Sequence, residues 1–578
     1  MYSTKKPAGA SLGALLKPYK GLIAVLIVFT VLNNGLDLFV TQIIARAIDA
    51  FPVGTLVITT VIAEFLLVII SSLIFRFLQG MVQTYTAEIV ARDLRTKIAA
   101  KISLFDYAYI QRVGSAKLLT NLTSDVDAVK LFISHAIGSI VASVFLIVGI
   151  SVILLLMNWR LAIVVLIAVP LIATTFYFVL GKVRKLFTKQ QEAIDWLNKV
   201  INESILGSAL IRLLNSQNYE YQKFLAANAE ARDIGLNILR LFASLIPVIV
   251  FVTNLATLVI LTLGGHFVIT GGISLGTFTA FNNYLAMLIF PIMIIGFMSN
   301  FIVQASASYA RIWEVLAAEH KKDTGHLKTR LQGDIEIKNV SVAFGEKLTL
   351  KDVSFEVKAG TKTAIIGPTA AGKTQLLYLL TGLAEPTAGT IEYDQKLIGE
   401  YDKPSLHQQV GFVFQDSIIF NLSLRENIGF NTTVTDKDLD NAVRTAELND
   451  FIDQLPEGLD TIVSERGTSL SGGQKQRIML ARALALNPKI LLLDDFTARV
   501  DSKTEQKVLQ NVMENYPGIT LVSITQKISA VENYDQIVLL MEGELLSKGR
   551  HKELMEKSPE YVQIYNSQQS LHNYELQS

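Results

Sequence analysis

The chain has 578 residues, 51% hydrophobic and 18% charged, with a formal net charge of +1 and no cysteine. A balance so close to neutral offers no broad basic field for nucleic acid. The missing cysteine excludes disulfides, thiolate catalysis and cysteine metal sites.

The apolar excess is uneven. Long apolar runs fill residues 1–315, whereas 330–568 has ordinary globular composition and 569–578 carries no motif. This predicts a membrane domain, a soluble domain and a loose tail beginning about Gln568. Lys5, Lys6, Lys17 and Lys20 precede a first apolar run that is too long for a cleaved leader, so it reads as a retained span. A helix needs about 20 apolar residues to cross a bilayer. Six stretches meet that need, near 21–48, 55–83, 136–157, 159–181, 241–264 and 275–300. Short connections join them in pairs at Phe51-Pro52-Val53-Gly54, at Asn158 and at Thr270-Gly271-Gly272.

Lysine and arginine crowd the N-terminus and the long connections 84–135 and 182–240, while the short connections carry little beyond Arg160. The positive-inside rule then places the N-terminus, both long connections and the soluble domain in the cytoplasm. The long connections read as helical extensions, with turning points expected in 115–130 and in 203–216 around Gly207. Within the spans lie Asn33, Asn34, Asp37, Glu64, Asn282 and Asn283. Ionisable groups at membrane depth mark either a pathway or inter-helix pairing, so Asp37 and Glu64 are candidate substrate-path residues.

Asp334 to Val342 alternates with strand period, and Asp352–Val357 follows as a second strand. An apolar strand from Thr363 then enters Gly367-Pro-Thr369-Ala370-Ala371-Gly372-Lys373-Thr374, and a helix leaves it through Gln375. This is the phosphate-binding pattern G-x-x-x-x-G-K-[ST]. Backbone N–H groups and the helix N-terminus would cradle the phosphates of a nucleotide. Lys373 would neutralise their oxygens, and Thr374 would ligate Mg²⁺. Lys489-Ile-Leu-Leu-Leu-Asp494-Asp495 supplies the partner element, an apolar strand ending in an acid, with Asp494 as a further Mg²⁺ ligand.

Between these elements lies Leu470-Ser471-Gly472-Gly473-Gln474. The order resembles the ATP-binding cassette (ABC) transporters over nearly the whole chain, and membrane-first order resembles an exporter half. The resemblance implies an all-α six-helix transmembrane domain followed by an α/β P-loop NTPase domain. It assigns Phe344 to adenine stacking, Gln415 to the metal site, and Ser464-Glu465-Arg466-Gly467 to an exporter-specific segment. Asn158-Trp159-Arg160-Leu161-Ala162 and Ala310-Arg311-Ile312 also resemble exporter patterns. In this family two cassettes pair head to tail. Ser471, Gly472, Gly473 and Gln474 would therefore meet the partner's ATP, and the loop of Asp501 would cross to the opposite site.

Three positions depart from that family pattern. Asp495 stands where a Glu polarises the attacking water, Gln526 where a His contacts the γ-phosphate, and Arg499 where a small residue is usual. Ala370 replaces a frequent Gly. Asp495 and Gln526 are thus catalytic positions with altered chemistry. The expectation is a subunit that binds ATP, hydrolyses it weakly at its own site, and pairs with a second half-transporter carrying Glu and His. A self-sufficient homodimer and an ATP-gated regulatory subunit are the alternatives. The expected setting is a bacterial or archaeal cell membrane, with a small molecule, lipid or peptide as cargo.

Overall fold

The computed structural model describes residues 11–577 apart from 320–323, 345–346, 465–466, 468 and 497–499, and no side chain at 344, 347 or 570–577. Lys5, Lys6, Glu465, Arg466 and Arg499 therefore lie outside the described residues. The chain divides into two compact units, one of 1–104 with 113–319, the other of 105–112 with 320–578.

Among its described residues the first unit has helices and no strand. Its six long helices are α1 (Leu12–Ala50), α2 (Ile58–Ile102), α3 (Ser115–Met157), α4 (Trp159–Leu206), α5 (Gln217–Ile269) and α6 (Leu275–Ala317). Each holds a window apolar enough to cross a membrane, and the chain is a multi-pass membrane protein. At 1.5 Å per residue the 45 residues of α2 span about 67 Å, twice a hydrocarbon core, so the spans continue as helices beyond the bilayer. Local chemistry sets their ends. Asn158 is extended, and its carboxamide accepts from Arg160 N and Leu161 N (3.1 and 3.2 Å), which starts α4 directly after α3. Ser274 caps α6 through Thr277 N.

Gly207 ends α4, as expected. The first turning point is a correction. Residues 115–130 are helical within α3, and the chain reverses earlier, over 103–114, where Gly114 takes φ +84°. The polar composition of 115–130 masks a buried face of Leu118, Val126 and Val129. A short helix, Tyr107–Val113, fills the reversal.

Among the described residues the second unit contains two sheets. β1 (Ile335–Phe344), β2 (Lys347–Val357), β4 (Ala388–Tyr393) and β5 (Lys396–Leu397) form an antiparallel sheet in the order β2-β1-β4-β5. β3 (Lys362–Ile366), β6 (Val410–Val413), β7 (Ile490–Asp494), β8 (Thr520–Ile524), β9 (Gln536–Met541) and β10 (Glu544–Gly549) form the other, in the order β10-β9-β3-β8-β7-β6. Apart from the antiparallel edge β10, its strands run parallel. Both faces are covered. Ile365 and Leu492 pack toward the antiparallel sheet, and their neighbours Ala364 and Leu491 pack toward the helices. This explains why β7 reads as a continuous apolar run rather than an alternating one.

The tail is a second correction. A helix, Pro559–Gln577, runs through the segment expected to be loose. Gln568 Nε2 donates to Gln526 O (2.6 Å), and its Oε1 accepts from Ile528 N (3.0 Å). The tail sequence is polar but rich in good helix formers, and polarity alone misleads about its order.

Candidate nucleotide site

The parallel strands β3, β7 and β8 end at one edge of the sheet, where such folds bind ligands. β3 delivers Gly367 and the helix Lys373–Leu380, β7 delivers Asp494 and Asp495, and β8 delivers Gln526. A cavity of about 640 Å³ opens there. Thr369 to Gln375, Gln415, Asp494, Asp495 and Gln526 all line it.

Two glycines in the loop are required by geometry. Gly367 has φ +153°, and a Cβ there would lie 2.0 Å from Leu540 O. Gly372 has φ +89°, and its Cβ would collide with the Leu350 side chain. Ala370 also sits in the left-handed region, at φ +66°, which costs a non-glycine residue about 1–2 kcal/mol. The frequent Gly thus has a physical reason at this position.

Lys373 is buried and folds over the loop, donating to Gly367 O (2.9 Å) and Pro368 O (2.8 Å). Burial lowers its pKa, against the pull of Asp495 and Asp494. Thr374 Oγ1 donates to Asp494 Oδ1 (3.2 Å), while Asp494 Oδ2 is buried without a hydrogen-bond partner among the described residues. Burial pushes Asp494 up to about 6, the Thr374 hydrogen bond opposing and Asp495 reinforcing. A hydroxyl beside an unsatisfied carboxylate oxygen fits the hard oxygen ligation of Mg²⁺. Asp495 occupies a left-handed turn (φ +49°), and its N donates to Ile524 O (3.1 Å). Gln415 O accepts from Gln476 Nε2 (3.0 Å).

Ser471 caps the helix Gly472–Leu484. Its Oγ accepts from Gln474 N (3.2 Å), and its N donates to Gln474 Oε1 (2.8 Å). The first turn thereby presents the Gly472 and Gly473 amides at a helix N-terminus. None of these four residues lines the Lys373 cavity. Asp501 caps the helix Ser502–Asn515 through Thr504 N, and those hydrogen bonds lower its pKa. Phe344 closes β1, and its side chain lies outside the described residues. Leu348, Thr349, Lys351, Ile524 and Glu542 join the cavity without any sequence motif to announce them. β2, the end of β8 and the residue after β9 bring them there, and only the three-dimensional register reveals it.

Residues 23–292 match the family described as the ABC transporter transmembrane region, and residues 350–498 match that described as ABC transporter. The uncharacterized ABC transporter ATP-binding protein YfiB of Bacillus subtilis (strain 168) is 32% identical over 574 residues, covering 96% of this chain and 98% of that protein. The chain belongs to the ABC transporter family. The ATP-dependent lipid A-core flippase of Syntrophus aciditrophicus (strain SB) is 29% identical, covering 85% of this ABC transporter and 82% of the flippase. The structure of a bacterial Atm1-family ABC exporter with ATP bound shares the transporter's fold, with a TM-score of 0.77, 24% identity, and 96% and 99% of the two chains covered. This ABC transporter is an exporter-type half, one membrane region joined to one ATP-binding cassette.

The substrate-path candidates of the transporter are paired within the membrane unit. Asp37 of α1 faces Arg76 of α2 (3.7 Å), and Glu64 of α2 faces Arg46 of α1 (3.6 Å). Asn33 accepts from Ser72 of α2 (2.9 Å), whereas Asn34 and Asn282 donate to carbonyls within their own helices. The sequence alone does not reveal the arginine partners, because pairing two antiparallel helices needs their register.

Proposed function

We propose that this chain is the degenerate-site half of a heterodimeric exporter. The observation that carries the reading is the content of one cavity. An intact phosphate loop, Thr374 and Asp494 surround the same space as Asp495 and Gln526. The first set binds Mg²⁺-ATP. Lys373 and the loop amides hold the phosphates, and Thr374, Asp494 and Gln415 would hold the metal, which screens phosphate charge when bound. The second set is weak in the chemical step. Asp495 is one methylene shorter than Glu, and a displacement of about 1 Å in a catalytic group can cost about a hundredfold in rate. Gln526 donates a hydrogen bond but cannot carry a positive charge toward a γ-phosphate.

The capped helix at Ser471 lies outside the chain's own cavity, as a group serving another subunit's ATP requires. Its two glycine amides would complete a site on a partner that supplies Glu and His. ATP closes the paired cassettes, the long helices carry that motion to the membrane halves, and hydrolysis at the partner's site resets them. The test is ATP binding set against turnover for the purified full chain alone. Tight Mg²⁺-ATP binding with turnover near background is expected. Brisk turnover would favour a self-sufficient homodimer and overturn the proposal.

A further inference from the structure

The membrane unit holds a second cavity, of about 630 Å³, between α3, α4 and α6. Ile147 of α3, Val169 and Phe176 of α4 and Ile292 of α6 form its apolar wall. Lys182, Arg184 and Lys185 line the same cavity, and none of its described lining residues is acidic. Arg184 is exposed at the cavity rim, where its Nη2 donates to Ser299 Oγ of α6 (2.6 Å). Neither Asp37 nor Glu64 takes part.

The helix rise gives the depth of these groups. The charge asymmetry puts the start of α4, at Trp159, on the outer side. A hydrocarbon core of about 30 Å is used up about 20 residues later, near Val179. Val169 therefore lies near the middle of the core and Phe176 in its cytoplasmic half. Lys182 to Lys185 fall at the cytoplasmic headgroup level. The cavity is apolar at the depth of acyl chains and cationic at the depth of headgroups. Basic pockets between membrane helices on the cytoplasmic side select anionic headgroups.

We propose that this cavity binds an anionic lipid of the cytoplasmic leaflet. An acyl chain lies along Val169, Phe176 and Ile292, and the phosphate meets Lys182, Arg184 and Lys185. A zwitterionic lipid brings its own cation to the same three charges and is disfavoured.

The test is photo-crosslinking in vesicles containing the full-length chain. The probes are a phosphatidylglycerol and a phosphatidylcholine that carry the same diazirine acyl chain, and the adducts are mapped by peptide mass spectrometry. The phosphatidylglycerol probe should label segments 169–185 and 292–299 at least about fivefold more than the phosphatidylcholine probe, the factor that one cation near an anionic surface supplies. The triple variant Lys182→Ser, Arg184→Ser, Lys185→Ser should bring the two probes to parity. Ala173→Trp, which fills the wall and leaves the charges, should reduce labelling by both. Equal labelling by the two probes in the wild type, adducts mapping elsewhere, or labelling unchanged by Ala173→Trp would each overturn the proposal. The experiment uses no nucleotide, so its failure leaves the reading of the cassette untouched.

Discussion

Replacing Asp494 by Asn should stabilise the nucleotide-free protein while destroying its metal site. Asp494 is 2% exposed, one of its oxygens lacks a hydrogen-bond partner, and burial lifts its pKa from 3.8 to about 6. A raised carboxylate pKa means that the folded state binds more protons than the unfolded chain between those two values. Stability is therefore lost as pH rises from about 4 to about 6, and the deficit persists at neutral pH. At 1.36 kcal/mol per unit the ceiling is about 3 kcal/mol. Asn escapes that penalty but loses the attraction of Lys373 and leaves an amide poorly paired, so a net gain of about 1–2 kcal/mol is expected. For a domain of this size that is a rise of about 2–8 °C in the unfolding midpoint. Differential scanning fluorimetry of the full chain, without nucleotide or metal, reads it directly. The gap between the Asp494→Asn variant and the wild type should widen from pH 5 to pH 7 and then level off. Mg²⁺-ATP should raise the midpoint of the wild type far more than that of the variant. A lower midpoint for the variant at pH 7.5, or a gap independent of pH, would refute the reasoning.

Other substitutions probe separate claims. Ala370→Gly relieves a left-handed alanine and should add about 0.5–1 kcal/mol of stability net of the unfolded-state entropy of glycine; an unchanged or lower thermal midpoint would contradict this. Gln568→Ala removes both bonds that hold the backbone at Gln526 and Ile528, so hydrogen exchange of the Ile528 amide should accelerate about tenfold, while exchange at wild-type speed would show that the tail helix holds nothing there. Asp37→Asn and Arg76→Gln should each destabilise the protein, and the double variant should lose less than the sum, as a coupled pair requires; strict additivity would detach Asp37 from Arg76 and return it to the substrate path.

The architecture is readable in the sequence because bilayer thickness and the phosphate loop both impose strict patterns. About 20 apolar residues per crossing is a length rule that a linear scan detects, and G-x-x-x-x-G-K-T carries its meaning within one short loop. Asp494 and Thr374 meet across 120 residues of chain, yet the strand-then-acid pattern of β7 is enough to pair them. Other features depend on register. Arg76 and Arg46 become partners of Asp37 and Glu64 only when α1 and α2 are aligned. Glu542 and Lys351 reach the cavity because β9 ends and β2 begins beside it. The turn at 103–114 and the tail helix escape a reading of the sequence for a shared reason. Composition reports polarity, whereas Gly114's backbone angle and Gln568's two hydrogen bonds are geometric facts.

In the proposed degenerate-site subunit, Asp495 and Gln526 disable an otherwise intact ATP site. The most direct measurement is steady-state ATP hydrolysis by the purified full chain, compared with the double variant Asp495→Glu, Gln526→His. A nearly silent wild type is expected, with a gain of about a hundredfold or more on restoring both groups. Asp495 occupies a left-handed turn that Asp tolerates better than Glu, so part of the gain can be offset by backbone cost. A wild type that already hydrolyses ATP briskly, with no gain in the double variant, would contradict the account and make this chain a self-sufficient exporter.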